Sequence, residues 1–362
     1  MNPRHPITLE CGGWAPPGLP KIRRKAPALA AQKGTALQHH LQKGHANLMS
    51  SLPTTQEVHS IPAKNGLSQH ATELRQACGA FEQITFAYLT WILFLLLAFH
   101  NNIPHAAKYA ALHAIIAVAI AQLAWSAARS RSKTLQFARH WYPLPLYIFF
   151  FEELQALVHS IHRNWFDPWL IQFDYNLAGV HPSVWLARFA NPTLNDAMQF
   201  AYMTYFLYLV ILPASLYIQK DRAAFWTVMV STGIAHYSVY IIAVLFPIES
   251  PHFALESLNP TALPGGAFTA TIELIERFGR VHGAAFPSAH VAGSMVAILA
   301  ARRYRPWLFW LCLPFFTMMC VATVYGRYHY IADVLAGLAV GAIGWAASQW
   351  LMDRSCSCSG AR

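Results

Sequence analysis

Charged residues are scarce in this chain of 362 residues, at 12% of the sequence, which is about half the level usual in soluble proteins. Hydrophobic residues make up 55%, and the mean hydropathy is +0.31. This scarcity excludes an ordinary soluble domain and predicts an integral membrane protein in a bilayer. The net charge of +10 does not indicate nucleic-acid binding, because the basic residues fall in loops and in the N-terminal tail.

Metal-binding and cofactor-binding motifs are also missing from the sequence. The six cysteines form no metal-ligand pattern, and neither a His-Glu-x-x-His run nor a carboxylate cluster occurs. No dinucleotide-binding glycine motif, internal repeat or signal peptide is visible. We therefore expect no metal and no cofactor.

Long apolar runs predict an all-α fold, a polytopic membrane helix bundle with about eight spans. The expected spans are Phe81–His100, Ala106–Ala128, Trp141–Ile161, Ala197–Ile218, Ala223–Phe246, Pro287–Arg302, Pro306–Tyr325 and Tyr330–Leu351. Residues 164–195 are expected to form an extramembrane loop with an interfacial amphipathic helix near Pro182–Phe189. The segment Pro247–His282 is a long loop, and loops of that length are usually functional.

Basic residues predict the orientation of these spans. The N-terminal tail, Arg129–Arg139, Lys220–Arg222 and Arg302–Arg305 all fall on one face of an eight-span bundle. That face is expected to be cytoplasmic. The Pro247–His282 loop then lies on the extracytoplasmic side of a membrane that we expect to be a bacterial inner membrane.

Two histidines, His290 and His329, are predicted to return to that same extracytoplasmic face. They are 39 residues apart, which at roughly 20 residues per crossing is one span down and one span back. With Pro287 as the first helical residue and Ser288 in the first turn, His290 lies near a helix N-terminus that favours anions. Asp333 follows His329 at i+4, on the same helix face, where its carboxylate can fix the imidazole tautomer.

Each of these residues also has an ordinary interpretation. A lone histidine near a helix end is usually a cap or a solvated residue, and a His-x-x-x-Asp pair alone is weak evidence for catalysis. Two histidines beside Arg327 at one membrane face are stronger evidence, because ionisable groups at membrane spans are generally functional. Other polar residues within the spans are interpreted as packing, pocket-wall or core groups, namely Glu152, Glu153, Tyr202, Tyr205, Tyr208 and His236.

The stretch from Gly283 to Gly341 resembles the type 2 phosphatidic acid phosphatase superfamily, which includes membrane lipid phosphatases and the inositol phosphorylceramide synthases. Its P-S-x-H motif matches Pro287–His290, and its final H-x-x-x-D motif matches His329–Asp333. The run Leu245–Pro251 resembles the Pro-rich loop that precedes the second motif in many bacterial members. The resemblance extends over about residues 141–351.

The chain departs from the pattern of the phosphatase branch in two respects. That branch places an arginine six residues before the last histidine, where this chain has Thr323. No clear K-x-x-x-x-x-x-R-P motif precedes the serine motif. The His329-Tyr330 pair is more similar to the phosphosphingolipid synthase branch, so the resemblance leaves both water and an alcohol open as acceptors.

The resemblance implies phosphoryl transfer from a lipid phosphate or phosphodiester through a phosphohistidine. His329 would be the nucleophile, Asp333 would orient it, and His290 would protonate the leaving oxygen. Ser288 and the Ala289 N–H would hold phosphoryl oxygens. Apart from the resemblance, Arg327 is our candidate for the positive charge that Thr323 cannot provide, with Arg280, His252 and His282 as weaker candidates for phosphate binding. A transporter or scaffold with an inactive site on the same fold is the alternative from another class.

Four regions follow from these predictions. Residues 1–80 form a polar, basic N-terminal tail that we expect to be disordered. Residues 81–140 carry two additional transmembrane helices, and residues 141–351 form a six-helix, phosphatase-like catalytic core. Residues 352–362 are a short C-terminal tail.

Overall fold

The computed structural model describes residues 73–258, 263–279 and 281–359. Most of these residues are helical, and no strand occurs among them. The predicted all-α polytopic bundle is therefore confirmed. The expected disorder of the N-terminal tail falls largely on residues 1–72, outside the described residues.

The helices follow one another along the chain with short connections. They are α1 Ala80–Ala98, α2 Ala106–Arg129, α3 Lys133–Trp141, α4 Pro143–Leu157, α5 Asp167–Ala178, α6 Pro182–Ala187, α7 Pro192–Ile218, α8 Arg222–Leu245, α9 Pro251–Ala254, α10 Ala267–Gly279, α11 Ala289–Tyr304, α12 Pro306–Tyr325 and α13 Ile331–Ser359. A short 3-10 turn, Glu256–Leu258, follows α9. Helix α13 continues into the segment predicted as a C-terminal tail.

Six of these helices are long and apolar enough to cross a membrane: α1, α2, α7, α8, α12 and the part of α13 up to Asp353. They indicate an integral membrane protein. The other two predicted spans coincide with shorter helices, α4 with 15 residues and α11 with 16 residues. At 1.5 Å per residue, α11 is about 24 Å long, less than the roughly 30 Å of a bilayer core.

Both short helices nevertheless run between the same two ends of the bundle as the long ones. Near the start of α4, the Trp141 ring lies 5.7 Å from that of Tyr217, at the end of α7. Near the other end of α4, Gln155 Oε1 accepts a hydrogen bond of 2.9 Å from the His282 backbone N–H. Arg305, just past the end of α11, bonds to Gln219. This geometry favours eight crossings, two of them by short helices.

Helix α11 lies at the centre of the bundle, packed against α7, α8, α12 and α13. Two glycines of α13 allow the close contact between α13 and α11. A Cβ at Gly337 would lie 2.8 Å from the Ser288 carbonyl oxygen, and one at Gly341 would lie 2.5 Å from the Ala292 carbonyl oxygen. Because these glycines are one turn apart, the two backbones approach along a common line. The approach brings the starts of α11 and α13 together, where Ser288 N donates to the Asp333 carbonyl at 3.1 Å.

The two additional helices are joined to the rest by buried polar contacts. The hydroxyl oxygens of Thr85 on α1 and Tyr237 on α8 are 3.0 Å apart. On α2, His113 Nε2 lies 3.1 Å from Glu153 Oε2 of α4, with both side chains almost fully buried. This pair agrees with the interpretation of Glu153 as a packing group.

Both segments that were predicted as long loops contain helices. The first holds α5 and the predicted helix α6, and the second holds α9 and α10. A buried aspartate joins the two segments, because Asp167 accepts hydrogen bonds from the backbone N–H groups of Glu249 and Ser250 at 2.8 and 3.2 Å. Ile248 also pairs with the chain just before α11, donating to the Gly283 carbonyl and accepting from Ala285 N at 3.2 Å each. These bonds hold the Pro-rich run next to the two helix starts.

Candidate active site

Ser288 is the N-cap of α11, and Ala289 is the first helical residue. The predicted start at Pro287 is two residues too early. A serine hydroxyl can satisfy an N–H group that has no partner within the helix, which a proline cannot do; here Ser288 Oγ accepts from Val291 N at 3.3 Å. His290 is the second residue of the helix and lies within its first turn, as predicted.

His329 lies just before α13, and its Nδ1 is held by two acceptors. The Ala285 carbonyl oxygen is 2.9 Å away, and Asp333 Oδ2 is 3.3 Å away. Since both partners only accept, Nδ1 carries the proton and Nε2 carries the lone pair. The predicted contact between His329 and Asp333 is present, but not on one helix face, because α13 begins only at Ile331.

Two buried carboxylates satisfy the first N–H groups of α13. Asp333 Oδ2 accepts from Tyr330 N at 2.8 Å, and Asp174 of α5 accepts from Ile331 N at 2.8 Å and Ala332 N at 3.1 Å. These N–H groups have no acceptor within the helix, and the positive end of the helix dipole favours negative charge. Burial raises the pKa of the Asp174 carboxyl, while its two N–H donors lower it. Asp333 thus binds both its own helix start and His329.

His290 approaches His329 from α11, with 5.8 Å between the ring centroids. Two tyrosines of α7 contact His290. The Tyr202 hydroxyl is 2.9 Å from His290 Nε2, and the Tyr205 ring centroid is 4.5 Å from the imidazole centroid. Tyr202, interpreted from the sequence as a packing residue, therefore also has a polar contact with His290.

Thr323 lies in the last turn of α12, and Arg327 lies in the turn between α12 and α13. The Thr323 carbonyl accepts from the backbone N–H groups of Tyr328 and His329 at 3.0 and 3.1 Å. The Thr323 hydroxyl donates to the Cys320 carbonyl at 2.8 Å. Arg327 has a left-handed φ of 63° and is 6% exposed. Burial lowers the pKa of its guanidinium, but arginine stays protonated in proteins, so a positive charge lies two residues before His329.

Of the weaker candidates, His252 contacts this turn and His282 contacts the Pro-rich run. His252 N donates to the Arg327 carbonyl at 3.0 Å, which fastens α9 to the turn. His282 Nε2 is 3.6 Å from Glu249 Oε1, and both side chains are partly exposed. Arg280 lies outside the described residues.

His236 is a hydrogen-bonded core histidine, as predicted. Its Nδ1 is 2.9 Å from the Thr232 carbonyl and its Nε2 is 2.9 Å from the Tyr205 hydroxyl. Within the described part of the chain, no group of three or more His, Cys, Asp or Glu residues is placed to hold a metal ion.

Sequence reasoning missed three contributors to this site. Asp167 and Asp174 lie in a segment that was interpreted as a loop, where no periodicity marks a residue as buried. Asp167 also accepts from the Tyr330 hydroxyl at 2.8 Å. The third contributor is the Ala285 carbonyl, and a backbone carbonyl gives no signal in a sequence.

Comparison with known proteins places both histidine motifs in one matched segment. Residues 168–347 match the PAP2 superfamily. The matched segment spans close to half of the chain and includes Ser288, His290, Arg327, His329 and Asp333. PAP2 proteins are generally phosphatases and phosphotransferases that act on lipid phosphates. No curated protein and no solved structure matches the chain.

The PAP2 match begins within α5, so α1 to α4 lie before it. The predicted catalytic core begins earlier, at residue 141. The match supports lipid phosphate chemistry in general.

Proposed function

We propose that this protein transfers the phosphoryl group of a lipid phosphate or phosphodiester through a phosphohistidine at His329. The observation that carries the proposal is the pair of acceptors on His329 Nδ1. They keep the proton on that nitrogen and leave the Nε2 lone pair for attack on phosphorus. The Asp333 carboxylate would stabilise the positive charge that the ring gains when the N–P bond forms.

His290 is proposed as the general acid. A lipid alkoxide is a poor leaving group, and a positioned proton donor typically contributes about 10²–10⁴ in rate. The two imidazole centroids are 5.8 Å apart, so the proposed proton donor and the nucleophile belong to the same site. The proton would pass from His290 to the lipid oxygen as the P–O bond breaks.

The phosphoryl oxygens are proposed to lie at the N-terminus of α11. The Ala289 N–H belongs to the first turn, where amides favour anions. Ser288 Oγ accepts from Val291 N, so its own O–H is left to donate to an oxygen. Arg327 would supply the positive charge that Thr323 cannot, and Arg280 is a further candidate. Such transfer depends on positioning and charge stabilisation more than on covalent machinery, so it needs no metal.

Hydrolysis and transfer share this first half-reaction and differ in what attacks the phosphohistidine. Water would release inorganic phosphate, and an alcohol would give a new phosphodiester. The similarity of His329-Tyr330 to the phosphosphingolipid synthase branch supports an inositolphosphotransferase as the alternative to a phosphatase. The distribution of basic residues supports a site on the extracytoplasmic side of the membrane, which we propose to be a bacterial inner membrane.

Trapping of the intermediate tests the proposal. Purified protein is incubated with a lipid phosphate labelled at phosphorus, quenched in base, and examined for label bound to protein. We expect label on the wild type and on His100→Ala, which removes an exposed histidine, and no label on His329→Ala. Label that persists in His329→Ala, or its absence from an active wild type, would contradict the nucleophile.

The same incubation with ceramide or inositol identifies the acceptor. A phosphatase releases free phosphate whether or not an alcohol is present. A phosphotransferase forms a phosphodiester at the expense of free phosphate.

A further inference from the structure

The hydroxyl of Tyr202 is hydrogen-bonded to one of the two ring nitrogens of His290. It lies 2.9 Å from Nε2. His290 Nδ1 is buried and has no hydrogen-bond partner among the residues that the structure describes. The two nitrogens of His290 therefore differ, and a proton donor at this position has to use one of them.

Tyr202 is held in place by its neighbours. Its ring stacks on that of Tyr328, with 4.5 Å between centroids and 29° between the planes. The Tyr328 hydroxyl in turn donates to Gln199 Oε1 at 3.0 Å. Tyr205 also contacts the His290 ring, but its hydroxyl is hydrogen-bonded to His236 Nε2. Of the two tyrosines, Tyr202 is the one whose hydroxyl meets the imidazole of His290.

We propose that Tyr202 is a positioning residue whose hydroxyl oxygen keeps a proton on His290 Nε2, so that Nδ1 is the nitrogen that gives and takes the catalytic proton. The inference rests on the proposed function, in which His290 is the general acid. Under this proposal, the protonated nitrogen and the reacting nitrogen are exchanged between the two histidines. His329 keeps its proton on Nδ1 and reacts at Nε2, while His290 keeps its proton on Nε2 and reacts at Nδ1.

Proton balance is met in both half-reactions. As His329 Nε2 bonds to phosphorus, the P–O bond to the lipid breaks and the Nδ1 proton of the His290 imidazolium moves to the lipid oxygen. In the second half, water or an alcohol attacks phosphorus and gives its proton to Nδ1, and the N–P bond breaks. The Nε2 proton of His290 stays on Nε2 throughout, donated to Tyr202.

The variant Tyr202→Phe tests this assignment, because it removes the hydroxyl and keeps the ring against Tyr328. The matched control is Tyr208→Phe, six residues further along α7, where the lost hydroxyl donates to the Cys312 carbonyl at 3.2 Å. For each protein, kcat and KM are measured on a lipid phosphate and on an aryl phosphate across a range of pH. The melting temperature is measured alongside.

We expect Tyr202→Phe to lower kcat on the lipid phosphate by about tenfold, the size of one hydrogen bond to a charged group. KM should be unchanged, and the aryl phosphate, which leaves without a proton, should change less than about twofold. The alkaline limb of the pH profile should move to lower pH, because the imidazolium has lost an acceptor. Tyr208→Phe should match the wild type in all of these readouts.

Equal losses on both substrates in Tyr202→Phe, or a loss confined to KM, would overturn the inference in favour of packing. An unchanged kcat and pH profile would also overturn it. These failures differ from failure of the proposed function, which appears as a missing phosphohistidine in the wild type. If wild type and His290→Ala behave as proposed and Tyr202→Phe resembles the wild type, only the role of Tyr202 is lost.

Discussion

The imidazoles of His290 and His329 lie close together but have different surroundings, and the surroundings decide what each ring can do. His329 has a carboxylate and a carbonyl on one nitrogen, which favours a nucleophile that becomes positive on reaction. In the described part of the chain, His290 Nε2 has a tyrosine hydroxyl as its partner instead of a carboxylate. A ring without a carboxylate gives up its proton more readily, which suits a donor.

The leaving-group dependence of His290→Ala is the first test at this scale. On a lipid phosphate we expect a loss of about 10²–10⁴ in rate, because the alkoxide needs a proton. On an activated aryl phosphate the loss should be much smaller. Asp333→Asn serves as the contrast and should impair both substrates, since it disturbs the orientation of His329. Equal losses on both substrates for His290→Ala would leave it as a phosphate ligand.

Chelation is the second test at this scale. We expect activity to survive EDTA, because the proposed mechanism uses no metal, and to be blocked by vanadate, because the proposed phosphoryl site is a helix N-terminus with Arg327. Activity is assayed before and after dialysis against the chelator. Complete loss with EDTA, restored by zinc or magnesium, would show that the metal-free mechanism is wrong.

At the scale of elements, the site depends on how closely α13 approaches α11. A Cβ at Gly337 or Gly341 would lie within 2.8 Å of a carbonyl oxygen, that of the N-cap Ser288 or of Ala292 in α11. The two helix starts meet only because this contact is close, and Asp174 from α5 then caps α13. Five segments therefore meet around the histidines: α5, α7, the Pro-rich run, α11 and the turn before α13.

Gly341→Ala tests this contact. The added methyl group would meet the Ala292 carbonyl oxygen at 2.5 Å, and overpacking of this kind costs about 1–3 kcal/mol. We expect the melting temperature in detergent to fall by about 2–8 °C, with a loss of activity. Leu335→Ala, a change on the same helix at a side chain that is 47% exposed, is the control. A melting temperature equal to that of Leu335→Ala would show that the backbones can separate without cost.

At the scale of the whole molecule, the number of crossings decides on which side of the membrane each loop lies. If only the six long helices cross the membrane, every loop between α4 and α11 lies on the side opposite to the one it has with eight crossings. The short helices α4 and α11 both extend between the two ends of the bundle. We therefore retain eight crossings with the two histidines on the extracytoplasmic face as the proposal.

Reporter fusions distinguish the two counts. With eight crossings, fusions after Ser160 and Arg327 read extracytoplasmic, and fusions after Arg131, Gln219 and Arg303 read cytoplasmic. A fusion after Arg131 is expected to be cytoplasmic with either six or eight crossings, so it is the internal control. A cytoplasmic signal after Ser160 together with an extracytoplasmic signal after Gln219 would mean that α4 does not cross.

The sequence by itself determined the membrane bundle and the pair of histidine motifs. Both depend on local chemistry, since apolar runs of sufficient length form helices in a bilayer, and His329 and Asp333 are only four residues apart. Pro287 did not mark the first residue of α11, because Ser288, the residue after it, is the N-cap. Segments 164–195 and 247–282 were interpreted as loops because their helices are short and carry polar residues.

Only the tertiary structure decided which distant groups complete the site. Asp174 reaches the start of α13 across 157 positions of sequence, and the Ala285 carbonyl reaches His329 across 44. Tyr202 meets His290 across 88 positions, in a stripe whose helical spacing resembles packing. Hydrogen bonds of this kind depend on how closely helices approach and which way a backbone carbonyl points. Those quantities arise from packing of the whole bundle around α11 and are not encoded in any local pattern.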